Sequence, residues 1–156
     1  MHNHLTKRHR ILGQIVLLIS ATVLVSQLQG EKKSPYNHVM IPAYHAVAPQ
    51  TPLPPVLSLD KVSGTLNKNA YSIASKIPSI LYQQPCYCYC DRANGHKSLH
   101  DCYVSDHATT CTVCQRELFY VYEQSQKGKN AAQIRRGIMA AEWADIDLSK
   151  YEKPLK

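Results

Sequence analysis

Apolar residues recur with helical spacing in the middle of the chain. The segment NKNAYSIASKIPSILY places apolar side chains at i, i+3, i+4 and i+7, which is the spacing of one helical face. These positions are Ala70, Ile73, Ala74 and Ile77. Pro78 interrupts the stripe because a proline lacks the backbone N–H that a helix interior needs, and Ile80 can resume it. We therefore predict a helix that is broken near this proline.

A second apolar stripe predicts the strongest helix of the chain. The stripe consists of Cys111, Cys114, Leu118, Val121 and Tyr122. Ser105 or Asp106 is expected to cap this helix, which should run to Gln126. Gly128 then supplies the residue type that commonly ends a helix in a left-handed turn.

The segment NAAQIRRGIMAAEWADI predicts one more helix near the C-terminus. Asn130 followed by Gln133 forms a variant of the capping box. The apolar face comprises Ala131, Ile134, Ile138 and Ala141. Trp143 is expected to close the core. Only CYCYC alternates as a strand does, so the predicted fold is mostly α: a small cysteine-rich helical domain of about three to four helices.

The first 30 residues have the layout of an export signal. Lys7, Arg8 and Arg10 precede the apolar run ILGQIVLLISATVLV. This run covers 15 residues, fewer than the ~20 that a membrane-spanning helix needs. A removable signal peptide is therefore favoured, although no clean A-x-A precedes a cut and an uncleaved N-terminal anchor stays open. Either alternative predicts export, to the periplasm or the outer face of the cytoplasmic membrane, with membrane contact only through this segment.

Residues 41–57 read IPAYHAVAPQTPLPPVL, with five prolines and no charge. Such a composition favours an extended, polyproline-like tether over packed structure. The expected organisation is a signal segment at 1–30, a Pro-rich linker at 31–62, the Cys-rich domain at 63–147 and a polar tail at 148–156.

The charge of the chain argues against a nucleic-acid partner. The formal net charge is +7, and it falls to +4 if the signal segment leaves with its three basic residues. The remaining lysines and arginines are scattered and form no basic stripe. We interpret them as a solvated surface.

All six cysteines fall within one window of 29 residues, together with three histidines. The cysteines are Cys86, Cys88, Cys90, Cys102, Cys111 and Cys114, and the histidines are His96, His100 and His107. So many sulfur and imidazole groups in so short a segment predict that covalent bonds or metal ions hold it together.

The spacing of these residues is compatible with a soft-metal site. In an extended CYCYC segment, Cys86, Cys88 and Cys90 would lie on one face. In a helix, H-x3-C-x2-C would place His107, Cys111 and Cys114 on one face. We predict that the six cysteines and His107 are metal ligands, while His96 and His100 are further candidates that better suit loop or capping roles.

Thiolate and imidazole ligands in tetrahedral sites suit Zn²⁺, and thiolate-rich sites outside the reducing cytosol also suit Cu(I). The number of donors allows two ions or a bridged thiolate cluster without requiring either.

Two alternatives to a metal site remain open. Six cysteines in an exported chain commonly form three disulfides, with 15 connectivities between which sequence cannot choose. Thiol-disulfide redox chemistry is the other alternative, although Cys111 is predicted to lie inside the helix, beyond the first turn where the dipole favours a thiolate. Covalent haem attachment needs a histidine after the second cysteine, and Gln115 stands there. No Ser/His/Asp arrangement, paired acid site or glycine-rich phosphate loop favours an enzyme.

Four successive motifs resemble a known family. PCYCYC, GHKSLHDC, DHATTCTVC and QKGKNAAQIRRGI together resemble exported bacterial proteins with a PCYCGC or CYCxC motif, some of which look like selenoproteins. The resemblance covers about Ala70 to Met139. Tyr89 stands at the common glycine of the motif, and the lipid-attachment cysteine of many members is missing.

The resemblance implies a bacterial cell-envelope location. Selenocysteine in relatives implies redox or soft-metal chemistry at these positions. The family brings no settled activity. We therefore predict an envelope protein that binds copper or zinc, with copper preferred, for capture, delivery or sensing. An envelope redox or metal-transfer protein is an expected partner besides the metal ion.

Overall fold

The structure is a computed structural model that describes residues 40–155. The predicted export signal lies outside the described residues, as does the first part of the predicted linker. No helix within residues 40–155 is both long and apolar enough to span a membrane.

Five α-helices account for most of the regular structure between residues 40 and 155. They are α1 Thr65–Lys76, α2 Pro78–Tyr82, α3 Cys90–Ala93, α4 Thr112–Gln126 and α5 Ala131–Met139. Short 3₁₀ helices lie at Leu59–Lys61, Leu99–Tyr103, His107–Thr109, Glu142–Asp145 and Leu148–Tyr151. The described residues contain no strand. The prediction of a small, mostly α domain is confirmed, and the short helices α2 and α3 raise the number of helices above the three to four expected.

The break that Pro78 predicts in the first helical segment is confirmed. Helix α1 ends at Lys76, and Ile77 is both the C-cap of α1 and the N-cap of α2. Pro78 is the first residue of α2, where its missing N–H leaves no hydrogen bond unmade. The predicted stripe is buried in α1, since Ala70, Ile73 and Ala74 are at most 1% exposed.

Helix α4 begins later than the sequence pattern predicts. The prediction that Ser105 or Asp106 caps it is wrong, because the cap is Cys111, whose sulfur accepts the N–H of Cys114 at 3.5 Å. Residues 105–110 are held in tight turns by local side-chain bonds. The Asp106 carbonyl accepts from the Thr109 hydroxyl at 2.7 Å, and such bonds compete with helix formation. His107, Cys111 and Cys114 therefore do not share a helical face.

The C-terminal helix begins as predicted but ends earlier, at Met139. The prediction that Ala141 lies on its apolar face is wrong, because Ala141 has φ +58°, which breaks the helix before the 3₁₀ turn Glu142–Asp145. The side chains of Asn130 and Gln133 each accept the other residue's backbone N–H at 2.9 Å, which completes the capping box of α5. Gly128, after α4, has φ +77°, a left-handed conformation that glycine adopts without strain. Trp143 is 1% exposed and closes the core as expected.

Helix α4 forms the centre of the molecule. It contacts α1, α2, α5 and three of the 3₁₀ helices. Leu118, Phe119 and Val121 are fully buried along its length. Because Cys111 caps α4 and Cys114 lies in its first turn, this central position fixes both cysteines against the rest of the core.

The proline-rich segment lies against the helical domain along much of its length. It has no regular secondary structure. The Ala43 N–H donates to Asp91 Oδ2 at 3.1 Å, and the His45 ring stacks on Tyr82 with ring centroids 3.8 Å apart. The Leu57 N–H donates to the Tyr103 carbonyl at 2.8 Å. The segment thus contacts the domain at Ala43, His45 and Leu57, rather than extending free of it as a tether would.

Packing continues on both sides of residues 63–147. Val62 is 2% exposed, and Tyr151 stacks on Phe119 with ring centroids 3.6 Å apart. The Asn69 side-chain amide donates to the Tyr151 carbonyl at 2.8 Å. These contacts attach the C-terminal residues to α1 and α4.

Candidate metal centre

The cysteine triplet forms a turn and not an extended segment in which its three sulfurs would lie on one face. The Tyr89 N–H donates to the Cys86 carbonyl at 3.1 Å, and Tyr89 has φ +58° in the left-handed region. In a strand, residues two apart are separated by about 7 Å. The turn instead brings the sulfurs of Cys86 and Cys88 to 3.3 Å from each other. Cys90 then begins α3.

Two other parts of the chain bring their cysteines to this turn. Cys102 lies in the 3₁₀ helix Leu99–Tyr103, and its sulfur is 3.4 Å from that of Cys90. Cys114, in the first turn of α4, has its sulfur 3.5 Å from Cys86 and 3.7 Å from Cys88. The thiol groups predicted from sequence therefore meet in one cluster.

Three sets of four residues place their ligand atoms within 4.8 Å of one another. The sets are Cys86, Cys88, Cys102 and Cys114; Cys88, Cys90, Cys102 and His107; and Cys88, His107, Cys111 and Cys114. We call them the sulfur set, the mixed set and the cap set. Cys88 belongs to all three. The cluster can thus hold a metal ion, while the role of each residue as a ligand stays a prediction.

The distances between sulfurs suit coordination of one ion. An ion that bonds four sulfurs tetrahedrally at about 2.3 Å sets them about 3.8 Å apart. The contacts between thiols here measure 3.3 to 3.7 Å. The six cysteines are free thiols, and a disulfide would require sulfurs at about 2.05 Å. Only a small outward movement of the sulfurs would be needed to admit an ion.

Two of the three candidate histidines lie at the cluster. His107 Nε2 is 3.8 Å from the sulfur of Cys88. His96 Nδ1 is 3.2 Å from the sulfur of Cys90 and 3.4 Å from that of Cys102. The His96 and His107 rings meet edge to face, with centroids 5.1 Å apart. His107 thus reaches the cluster from its own 3₁₀ turn.

His100 is placed differently from the other two. Its side chain is fully buried, and Nδ1 is 3.7 Å from Asp101 Oδ1. The ring lines a cavity of about 420 Å³ beneath the proline-rich segment. His100 belongs to none of the three ligand sets.

The thiols of the cluster differ in their acidity. Hydrogen bonds donated by the surrounding thiols, above all Cys102 and Cys111, lower the pKa of Cys88. Burial raises the pKa of Cys86 well above its usual range. Burial also lowers the pKa of His96, with a contribution from the neighbouring His107. The surroundings of Cys88 thus favour its thiolate form, and those of His96 favour its neutral form.

Glu117 is a residue at this site that the sequence analysis missed. It lies in α4 one turn after Cys114 and is fully buried. Its Oε1 accepts the backbone N–H of Tyr87 at 2.8 Å, which ties the cysteine turn to the central helix. Burial raises the pKa of this carboxyl well above its usual range. The only signal in the sequence is an acidic residue beside the apolar stripe, directly before Leu118.

Comparison with known proteins supplies a family for this chain. No curated protein and no solved structure matches it significantly. A family model matches residues 15–145, which include every element of the cysteine cluster, and its description is "Protein of unknown function with PCYCGC motif". The chain therefore belongs to the family of proteins with the PCYCGC motif.

Proposed function

We propose that this protein binds a soft metal ion at its thiol cluster and acts in metal capture, delivery or sensing at the cell envelope. One observation carries the proposal. In each of three sets of four residues, the sulfur and nitrogen atoms that could bind a metal all lie within 4.8 Å of one another. Most of these donors are buried, so an ion bound there would be shielded from water and from competing ligands.

The chemistry of the donors favours Cu(I), with Zn²⁺ as the second choice. Thiolates are soft ligands that select Cu(I) and zinc, whereas calcium and magnesium require oxygen ligands. The buried carboxyl nearest to the thiols, Glu117, already accepts a hydrogen bond from the Tyr87 backbone. One of the sets consists of four cysteines without a histidine, which is the composition most favourable to a soft ion.

The partial exposure of the cluster supports exchange of the ion with another protein. Cys88, His107 and Cys111 are half-buried, while the other cysteines are buried. A partner could reach the ion from this side. The basic and apolar N-terminal segment, at residues 1–30, supports placing this exchange outside the cytoplasmic membrane, with an envelope metal-transfer or redox protein as the partner.

Metal titration tests this function. The reduced protein, handled without oxygen, is titrated with Cu(I) and with Zn²⁺ against a chromophoric competing chelator. We expect at least one equivalent to bind, and we expect Cys88→Ser to weaken binding strongly because all ligand sets lose a member. Ser75→Ala, at an exposed position of α1, is the matched control and should bind as the unmodified protein does. Uptake of less than one equivalent would contradict the proposal.

Thiol-disulfide exchange is the second candidate, and the start of α4 favours it. Cys111 caps this helix and Cys114 lies in its first turn, so the two cysteines form a C-x-x-C pair whose sulfurs lie within 4.8 Å of each other. In such a reaction two cysteines form a disulfide and release two protons and two electrons, while a partner's disulfide accepts them and becomes two thiols. Protein isolated without reductant separates the candidates, because reversible cycling between thiol and disulfide favours exchange and stable metal-protected thiols favour ligation.

A further inference from the structure

The cluster contains more donors than one ion can use. A tetrahedral ion takes four ligands, whereas six sulfurs and the imidazoles of His96 and His107 lie at this site. The cysteines come from three separate parts of the fold, which all direct their sulfurs to the same place. Core packing alone does not require such a concentration of thiols.

Each pair of the three ligand sets has two residues in common. The sulfur set and the mixed set have Cys88 and Cys102 in common. Cys86 and Cys114 belong to the sulfur set alone, and their sulfurs are 3.5 Å apart. Cys90 and His107 belong to the mixed set and not to the sulfur set. A thiolate has several lone pairs and can bond two ions at once, so the shared cysteines can serve both sets simultaneously.

The mixed set has the additional nitrogen donor. His96 Nδ1 is 3.2 Å from the sulfur of Cys90 and 3.4 Å from the sulfur of Cys102, and both cysteines belong to the mixed set. Two imidazoles therefore face the mixed set, while the sulfur set consists of cysteines only. The two positions differ in donor type, as two distinct ion sites do.

Cys111 is the cysteine that this pairing leaves out. It belongs only to the cap set, and its sulfur already accepts the Cys114 N–H at the start of α4. Pairing the sulfur set with the mixed set uses the five other cysteines. Pairing the sulfur set with the cap set would require the capping sulfur of Cys111 to bond an ion as well, and it would leave out Cys90, which His96 contacts. Pairing the mixed set with the cap set would instead require His107 to serve two ions, and one imidazole nitrogen has a single lone pair to give.

We propose that the cluster holds two soft metal ions bridged by the thiolates of Cys88 and Cys102. One ion also bonds Cys86 and Cys114, and the other also bonds Cys90 and His107, with His96 beside it. This inference rests on the proposed function, since it specifies how the same cluster takes up its metal.

Stoichiometry provides the main test. The full chain, reduced and without oxygen, is loaded with Zn²⁺ or Cu(I) and freed of excess by gel filtration, and metal and protein are then quantified. We expect two ions per chain. Cys90→Ser, which alters the mixed set alone, should retain one ion. Cys111→Ser is the matched control, since it removes a cluster thiol outside both sets and should retain two ions.

Cadmium NMR supplies a measurement that needs no variant. The unmodified chain loaded with isotopically enriched Cd²⁺ should give two resonances coupled to each other through the shared sulfurs. A single resonance, or two without mutual coupling, would overturn the bridged centre.

The outcomes distinguish this inference from the function on which it rests. One tightly bound ion that Cys90→Ser leaves unchanged would overturn the two-ion centre and preserve the metal-binding function. Binding of less than one equivalent would overturn both. Two ions in the unmodified chain, one in a folded Cys90→Ser variant and mutual cadmium coupling would together support the bridged centre.

Discussion

Tyr89 has a backbone conformation that explains the glycine in the family's motif. Its φ of +58° lies in the left-handed region, which a residue with a Cβ enters at a cost of about 1–2 kcal/mol. Tyr89 takes this conformation where the turn of Cys86 and Cys88 passes into α3, which it caps. Contacts of the Tyr89 ring with Tyr87, edge to face at 6.0 Å, and with the Arg92 guanidinium at 4.3 Å offset part of the cost.

Substitution of Tyr89 by two small residues separates the backbone effect from the ring contacts. Tyr89→Gly and Tyr89→Ala both lose the ring, but only alanine keeps the left-handed strain. We expect the glycine variant to be more stable than the alanine variant by about 1 kcal/mol, measured by urea denaturation. An alanine variant of equal or greater stability would contradict the left-handed turn.

Glu117 is expected to stabilise the cysteine turn through its hydrogen bond from the Tyr87 N–H. Glu117→Gln retains an oxygen acceptor, whereas Glu117→Leu has a similar volume and leaves that buried N–H without a partner. We expect the leucine variant to lose about 1–3 kcal/mol of unfolding free energy and the glutamine variant to lose much less. Thermal or urea denaturation measures the difference, and equal losses would show that the bond contributes nothing specific.

At the scale of secondary-structure elements, the start of α4 is the feature that joins fold and site. Cys111 caps the helix, and Cys114 lies three residues later in its first turn. The start of α4 is therefore set by a residue that also belongs to a ligand set.

The cap can be tested separately from the metal. Cys111→Ser retains a side chain that accepts the Cys114 N–H, and serine is among the best capping residues, whereas Cys111→Ala removes the acceptor. For the metal-free, reduced protein we expect the serine variant to be more stable than the alanine variant by about 1 kcal/mol. Circular dichroism during denaturation measures the two stabilities. An alanine variant more stable than the serine variant would contradict a capping role.

Sequence periodicity predicts the elements whose boundaries depend on strong local signals. The Pro78 break, Gly128 and the capping box of Asn130 and Gln133 all act through their own backbone geometry, so they can be read from the sequence. The start of α4 could not, because short side-chain bonds in residues 105–110 compete with helix formation there.

At the site, the existence of a thiol cluster could be predicted from the sequence, but its geometry could not. The concentration of thiols predicts one cluster. Its geometry depends on a turn with Tyr89 in the left-handed region, and tyrosine gives no sequence signal for that conformation. The contact of Glu117 with Tyr87 joins residues 30 positions apart, and periodicity carries no information about such a contact.

At the scale of the whole molecule, the segment before the helical domain contributes to its stability. Val56 and Leu57 pack against the core, and Leu57 donates to the Tyr103 carbonyl. Tyr103 itself is fully buried and its hydroxyl donates to the Cys114 carbonyl at 2.9 Å. The proline-rich segment therefore contacts Tyr103, which in turn holds the first turn of α4 at Cys114.

A truncation measures this contribution. We expect a chain that begins at Val62 to be less stable than one that begins at Met40 by about 2 kcal/mol or more, because it loses the Leu57 hydrogen bond and the apolar burial of two side chains. Urea denaturation of the two chains gives the difference. Equal midpoints and slopes would mean that the segment lies on the domain without stabilising it.

Metal binding is expected to stabilise the entire fold, since the ligands come from the cysteine turn, the 3₁₀ helix of Cys102 and α4. A ligand that binds only the folded state adds about 2.7 kcal/mol when its free concentration is 100 times its Kd. We expect Zn²⁺ or Cu(I) to raise the Tm of the reduced protein and a strong chelator to reverse the increase. In Cys88→Ser the same additions should leave the Tm nearly unchanged, and an equal increase in that variant would locate the binding elsewhere.

The half-buried position of Cys88 has a consequence under oxidative stress. Solvent reaches this thiol, so peroxide can reach it too, and its lowered pKa increases the fraction present as the reactive thiolate. Peroxide would convert it to a sulfenic acid, which thiols can reverse, and then to irreversible sulfinic acid. Because every ligand set contains Cys88, damage to this single atom would inactivate the whole centre at once.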